Sequence, residues 1–400
     1  MNKSIININF LLKLLLITAF LPPVISSVNL KAFTAICYIA PFLLFAIKKF
    51  NINSFRLNLP VLFFFILNII LLLSSILNFK SIEFFDFLSN ETRILQVLIV
   101  SFILLNVKIT SQIFHAIFKL FILILICNTF ISILDILGYD LEKFKSLWFS
   151  DFSESVIKRA NENGRFTGII SQPFEAGFAY SLSLLYIYFY PIKNKLFNFS
   201  SIIILIIGGF LSFSKIFIFI CLPLILFQLF IKYKNNLKVV VILIITTLSI
   251  ILFFVVNNFD SFQHLYKIFE MLLDFNTNPI LALTGGRFSN PEGRGLDDMI
   301  LDVFTKSPFW GFGLGSTKLM DNGFIEIFYQ GGLISLLFYL IYLYNIYKIK
   351  SKIFDNKKRS FFKLTFTLFL LSHVGSPVLT STYTLLPVFL IFHKDLVYAK

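Results

Sequence analysis

Two arginines in the segment GGRFSNPEGRG, Arg287 and Arg294, each follow a glycine, and the phrase NGRFTG repeats Gly-Arg-Phe around Arg165. Arginine is scarce in this chain, since only seven of the 35 basic residues are arginine. A guanidinium can grip a phosphate at two points and stays charged at any relevant pH, and a preceding glycine lets backbone N–H groups approach an anion. The recurrence favours a shared anionic ligand, while each arginine alone could equally hold a lipid headgroup or a loop carboxylate.

Apolar residues dominate the composition. Hydrophobic residues make up 57% of the chain, charged residues 14%, and the mean hydropathy is +0.85. A soluble core of this length cannot hide so much apolar surface, so most of the chain is expected to face lipid. Cys37, Cys127 and Cys221 all lie in apolar runs, and their spacing offers neither a disulfide framework nor a metal site.

Apolar runs long enough, or nearly long enough, to cross a bilayer predict an all-α, polytopic membrane domain, residues 1–400, with about twelve transmembrane helices. The N-terminal run lacks a small-residue cleavage site, so we interpret it as a retained first span. The predicted spans are Phe10–Ser27, Ala32–Ile47, Leu57–Leu77, Ile94–Asn106, Ile113–Leu137, Phe174–Ile192, Ile202–Phe213, Ile216–Ile231, Val239–Val256, Phe324–Ile346, Phe362–Leu371 and Leu379–Phe392.

Basic residues alternate between the predicted connections, and this alternation sets the orientation. The segment 348–363 carries seven cations against one acid, so it and both termini are predicted to be cytoplasmic. Two larger loops, 138–171 and 257–322, then lie outside the cytoplasm. The first loop has five acids and five bases and the second has eight acids and five bases. The net charge of +14 is therefore explained by topology, and no nucleic-acid partner is expected.

The second loop carries two amphipathic patterns that predict short helices. Residues Ser261–Phe275 place apolar side chains on one stripe, which suits a helix lying on the membrane surface. Residues Leu296–Phe304 repeat the pattern, and the turn-rich segment Ser307–Gly315 ends it. The polar pair Asp321 and Asn322 then opens the tenth span.

This run of motifs resembles the C-terminal signature of the O-antigen polymerase and O-antigen ligase family. In that family Gly-Arg opens a short helix, Pro-x-x-Gly-x-Gly follows, and a polar pair precedes a helix containing Gly-Gly. The corresponding segments here are GRGLDD, PFWGFG, Asp321-Asn322 and QGG. Phe166-Thr-Gly168 through Pro173 to Gly177 also resembles a family phrase, as does Ser212-Phe-Ser-Lys215, with lysine where the family has arginine. The resemblance covers roughly Arg165 to Leu343.

The resemblance implies a membrane glycosyltransferase, a polysaccharide polymerase, that uses no metal and no cofactor. Its donor and acceptor would be glycans linked to undecaprenyl diphosphate, at the outer face of the bacterial inner membrane, and a chain-length regulator is a candidate partner. A departing diphosphate needs positive charge close by, which arginine and lysine can supply. A sugar hydroxyl that attacks an anomeric carbon is helped by a carboxylate or imidazole base.

The predicted site residues divide by role. The catalytic candidates are Asp321, Arg294 and His373, and the substrate-binding candidates are Arg165, Lys215, Arg287, Glu175, Asn322 and Arg159. Arg294 ranks first, because it starts the best-matched segment, and Arg159 ranks last. Alternative roles are snorkelling to water for Lys215, a helix-start contact for Glu175 and a helix cap for Asp321.

The choice between family branches depends on position 321. Ligases of the family carry His-Asn where this chain has Asp321-Asn322, so aspartate favours the polymerase branch. His373, at the outer end of the eleventh span, could supply the missing imidazole, and a ligase that transfers glycans to lipid A-core or protein stays open. A transporter or flippase is a second alternative, although such proteins usually show two similar halves and short loops. A solute-binding receptor is a weaker one.

Overall fold

The computed structural model describes residues 3–21, 23–25, 30–47, 58–139, 141–145, 158, 161, 164–233, 295–316, 322–349, 353 and 355–392. Within these ranges the protein is helical, apart from a short antiparallel pair formed by β1 (Pro23–Ile25) and β2 (Leu30–Lys31). The helices are α1 (Lys3–Ala19), α2 (Ala32–Ile47), α3 (Leu59–Leu77), α4 (Phe84–Asn106), α5 (Ser111–Ile136), α6 (Glu142–Lys145), α7 (Pro173–Phe189), α8 (Lys195–Leu211), α9 (Leu222–Tyr233), α10 (Leu296–Lys306), α11 (Gly323–Ile349), α12 (Asn356–Gly375) and α13 (Thr382–Phe392).

Four of these helices, α3, α4, α5 and α11, are long and apolar enough to cross a membrane. Shorter apolar helices occur in α1, α2, α8, α13 and the segment Ile216–Gln228. The predicted spans in the described residues coincide with helices, except that Phe10–Ser27 is too long: α1 ends at Ala19, ahead of two prolines that cannot continue a helix, and Pro23–Ile25 forms β1. Val239–Val256 and the amphipathic segment Ser261–Phe275 lie outside the described residues. The all-α class is therefore confirmed for the described residues, in which four helices could span a membrane by length and composition. The count of twelve crossings stays a prediction.

Helix α4 begins at Phe84, well before the predicted start at Ile94. The sequence places Glu91 and Arg93 in its first half, and these charges end the apolar run on which the prediction rested. The structure accommodates them because each has a buried partner from another helix. A charge inside a membrane helix is tolerated when it faces protein rather than lipid.

A break separates α8 from the next helix, in agreement with the two separate spans predicted at Ile202–Phe213 and Ile216–Ile231. Helix α8 ends at Leu211, Phe213 adopts a left-handed φ of 41°, and a π-helical turn, Ile216–Cys221, leads into α9. The segment Ser212–Lys215 is thus the turn between two short apolar helices.

The chain forms two compact units, which are residues 1–121 with 287–400, and residues 122–286. In the first unit α11 packs most extensively along α3, and α4 packs against α2, α3 and α13. In the second unit α7 packs against α8 and the π-helical turn.

The topology can be checked by labelling. In a variant whose three native cysteines are replaced by serine, Ser289→Cys should react with an impermeant maleimide added outside the inner membrane. Ser351→Cys should react only after the membrane is opened, because the cation-rich 348–363 connection is expected to stay in the cytoplasm. Reaction of both positions from the same side would contradict the predicted topology. The cysteine-free parent is the control.

Candidate functional site

The structure places the predicted site residues in three groups. Asp321, Arg294, Arg287 and Arg159 lie outside the described residues. Asn322 and His373 belong to the first compact unit, whereas Arg165, Glu175 and Lys215 belong to the second.

Asn322 caps α11. Its side-chain Oδ1 accepts hydrogen bonds from the backbone N–H of Phe324 at 3.0 Å and of Ile325 at 3.1 Å. Its carbonyl accepts the first helical bond from the Glu326 N–H at 2.9 Å, and the residue is 5% exposed. Asparagine is among the best residues for this position. The capping role that the sequence left open for Asp321 is therefore filled by its neighbour.

His373 lies against the first residue of α11. Its ring is 1% exposed, stacks on Phe369 and meets Phe324 edge-on at 4.8 Å between centroids. Nε2 is 2.9 Å from the hydroxyl of Tyr339, and Nδ1 has no hydrogen-bond partner among the described residues. A Cβ added to Gly323 would lie 2.0 Å from the imidazole Cε1. The start of the tenth predicted span and the only imidazole proposed for the site are therefore in direct contact.

A cluster of charged and polar groups beside this helix start was not predicted from the sequence. Arg93 of α4 donates a hydrogen bond to the hydroxyl of Thr380 at 2.5 Å and places Nη1 3.6 Å from the carboxylate of Glu326. The Glu326 side chain is only 10% exposed, and its second oxygen has no partner among the described residues. Because arginine is scarce in this chain, its presence at position 93 was a signal that could have identified the residue. The prediction considered only the arginines of the outer loops, and Arg93 is not among them.

Helix α11 is interrupted at Gly332, which has φ 66° and ψ −165°. The interruption frees two backbone carbonyls, and the turn-rich segment after α10 supplies their donors. The Phe312 N–H donates to the Tyr329 carbonyl at 2.9 Å, and the Gly313 N–H donates to the Gln330 carbonyl at 2.7 Å. Within a membrane, irregular backbone is tolerated only where protein or water satisfies its polar groups. The N–H groups of the Pro-x-x-Gly-x-Gly motif therefore bind the carbonyl groups that lose their helical partners at the Gly-Gly break.

The contact between this turn and the surrounding helices is reciprocal. The Leu333 N–H, beyond the break, donates to the Pro308 carbonyl at 2.9 Å. From α3, the Ser75 hydroxyl accepts the Leu314 N–H at 2.8 Å, and the Ser74 hydroxyl donates to the carbonyls of Trp310 and Gln330. The turn is therefore fixed to two membrane helices at once.

The same arrangement orients α10. Its apolar stripe, predicted from the sequence, packs with Leu296 and Val303 against Phe328 and Tyr329 of α11. The helix begins at Leu296, two residues after Arg294, and α11 begins directly after the Asp321-Asn322 pair. The turn and the apolar stripe together fix the orientation of α10 relative to α11. These two helices follow Arg294 and Asp321, the two leading catalytic candidates.

In the second unit, Asn128 of α5 holds the segment that follows Arg165. Its Nδ2 donates to the Thr167 carbonyl and to the Tyr180 hydroxyl, both at 3.0 Å, and its Oδ1 accepts the Ile169 N–H at 2.8 Å. Gly168 has φ +64°, and a Cβ there would lie 2.3 Å from the Asn128 Oδ1. The glycine of the Phe-Thr-Gly phrase is thus required both by its backbone conformation and by this close contact.

The backbones of the Arg165 and Lys215 segments are in contact. The Phe166 N–H donates to the Leu211 carbonyl at 2.7 Å, and a Cβ on Gly177 would lie 2.2 Å from the Ser214 side chain. The two motifs are separate in sequence, and the fold brings them together within this unit. Both basic side chains are half-buried.

Glu175 sits in the first turn of α7, where its carboxylate accepts a hydrogen bond from the Ser171 hydroxyl at 3.0 Å. A carboxylate in the first turn of a helix is favoured by the helix dipole. The contact agrees with the helix-start role, and it also stabilises the end of the Arg165 segment. Within the described residues, no three His, Cys, Asp or Glu side chains are grouped as a metal site requires.

Comparison with known proteins adds no assignment: no family model matches the chain, and no curated protein is significantly similar to it.

Proposed function

We propose that the chain is a polymerase that joins lipid-linked oligosaccharide repeat units into an O-antigen or capsular polysaccharide. The observation that carries the proposal is the pairing of the family-like motifs. The turn of residues 308–314 fills the break at Gly332, and the Phe166 segment bonds the end of α8 beside Ser212–Lys215. Motifs that resemble the family in their order along the sequence are thus paired by direct hydrogen bonds within each unit.

The proposed reaction is a glycosyl transfer without a metal. The oxygen of an acceptor sugar hydroxyl attacks the anomeric carbon of the donor glycan, and the bond from that carbon to the diphosphate oxygen breaks. Undecaprenyl diphosphate leaves with the electron pair, and the hydroxyl proton passes to the Asp321 carboxylate. The positive charges of Arg294 and Arg287 stabilise the departing diphosphate, and Arg165 and Lys215 are the substrate-binding candidates of the second unit.

The proposed location is the bacterial inner membrane, with twelve spans and both termini in the cytoplasm. This topology puts the loops 138–171 and 257–322 on the outer face, where Arg165, Arg287 and Arg294 meet the lipid-linked substrate. The bilayer supplies donor and acceptor laterally, and a chain-length regulator is a candidate protein partner.

One observation favours the ligase as a second candidate. The family's ligases carry an imidazole at the position of Asp321, and in this fold the His373 imidazole contacts Gly323, two residues further along. An imidazole from α12 could therefore act where the ligases use one from the loop. The two candidates differ in acceptor, since a ligase transfers the glycan to lipid A-core or protein.

The purified protein in liposomes should convert lipid-linked repeat units into products of two or more repeats, with EDTA present. Asp321→Asn should lower the rate at least about a hundredfold, because an amide cannot accept the proton. Asn322→Asp should lower the rate far less, because aspartate preserves the helix cap that Asn322 provides. A single transfer to lipid A-core would identify the ligase instead. Movement of the lipid across the bilayer without a new glycosidic bond would identify a flippase.

A further inference from the structure

The geometry points to Arg93 and Glu326 as a positioning pair that holds the start of α11, and with it the capping residue Asn322, in register with His373. This inference rests on the proposed function and deepens it, because it assigns two residues outside the recognised motifs to the same site. Neither residue is proposed to touch the substrate.

The guanidinium of Arg93 joins three segments of the first unit. Arg93 lies in α4, Glu326 lies in the first turn of α11, and Thr380 lies in the connection between α12 and α13. One guanidinium contacts both of the other segments, through Thr380 at 2.5 Å and Glu326 at 3.6 Å. The planar fork of arginine suits such a bridge, because its donors point in fixed directions.

Both side chains of the pair are largely buried. The Glu326 side chain is 10% exposed and that of Arg93 is 23% exposed. A carboxylate in this environment is strongly unfavourable unless a cation lies close by, and removing one member of a buried pair leaves the other uncompensated. The first turn of α11 is thereby held at the place where Glu326 meets Arg93.

The position of Glu326 also determines the position of the helix cap. The Glu326 N–H donates to the Asn322 carbonyl at 2.9 Å, so a displacement of Glu326 carries the helix cap with it. Gly323 is already in contact with His373, which lies on the helix that leads to Thr380. Arg93 therefore holds both sides of the contact between the α11 start and the imidazole.

The chain contains a matched control on the same helix. Glu91, two residues before Arg93, accepts hydrogen bonds from the Asn68 amide at 3.1 and 3.2 Å and is also buried. That pair joins α4 to α3 and does not contact the start of α11. Loss of the Glu91 pair should therefore affect stability without a specific effect on the reaction.

The test is a double-mutant cycle with amide substitutions in the purified, full-length protein. Arg93→Gln and Glu326→Gln should each lower kcat, by up to about a hundredfold for a displacement on the order of 1 Å, with KM little changed. The double variant should retain more activity than the product of the single effects, because no uncompensated charge remains. Glu91→Gln should leave kcat near that of the wild type when equal amounts of folded protein are compared.

Additive effects of Arg93→Gln and Glu326→Gln would overturn the inference. A rise in KM confined to Arg93→Gln would also overturn it, because that result would place the guanidinium on the substrate. A second readout does not depend on activity: a cysteine introduced by Phe324→Cys, beside His373, should react faster with a maleimide in the Arg93→Gln background but not in the Glu91→Gln background. Faster labelling with no polymerisation by the wild type would support the pair and reject the proposed function. Unchanged labelling would reject the pair.

Discussion

Cells that carry Arg294→Ala are expected to make surface polysaccharide with single repeat units, while the abundance of the protein stays unchanged. Loss of a charge-assisted contact to the leaving diphosphate costs about 3 kcal/mol in the transition state, which is roughly a hundredfold or more in rate. Arg294 is predicted to lie in an exposed extracytoplasmic loop, where substitutions usually change stability little, so the abundance of the protein is expected to stay at the wild-type level. Chain-length ladders from a deletion strain complemented with each variant would measure the effect.

Two further variants define this experiment. Arg294→Lys should restore part of the ladder, because lysine keeps the charge but loses the two-point grip on a phosphate. Arg56→Ala, in a predicted cytoplasmic connection, is the matched control and should give a normal ladder. A core bearing one repeat indicates a failed polymerase, whereas a bare core with accumulated lipid-linked polymer indicates a failed ligase. A normal long ladder from Arg294→Ala would remove this residue from the site.

The helices were predictable where the apolar pattern was uninterrupted. The bounds Ala32–Ile47 agree with α2 at both ends, because nothing charged lies inside that run. The start of α4 was not predictable in the same way, since Glu91 and Arg93 are acceptable there only through partners on other helices. A single sequence does not reveal such long-range pairs.

The candidate site shows the same division. The stripe of α10 and the glycine-rich turn after it were predicted from local pattern and are present. The reason for the turn was not predictable, because its N–H groups serve carbonyls that only become free when α11 breaks at Gly332. A helix cap was the alternative role predicted for Asp321, one residue before Asn322, which is the cap in the structure. The sequence does not specify which of two adjacent polar residues adopts the extended backbone of an N-cap.

Gly332→Ala is expected to be among the most destabilising single-methyl substitutions at the described glycines of the first unit. Gly332 has φ +66°, and a Cβ there would lie 2.3 Å from the backbone carbonyl of Phe309. With ψ −165°, the backbone lies in a region that essentially only glycine adopts and that costs another residue about 1–3 kcal/mol; the overlap with fixed backbone adds about 1–3 kcal/mol. The turn that overlaps also satisfies the carbonyls at the break, so relief of the clash exposes polar groups inside the membrane.

The measurement is thermal unfolding of the detergent-solubilised protein, followed by tryptophan fluorescence. Gly375→Ala is the matched control, because a Cβ at that position meets no heavy atom within 4 Å and should leave the melting temperature unchanged. Gly332→Ala should melt several degrees lower, since about 1 kcal/mol corresponds to a few degrees in a protein of this size. Equal melting temperatures for the two variants would mean that the turn yields to the added methyl group. In that case the turn could not hold α10 and α11 in the fixed relation that the proposed site requires.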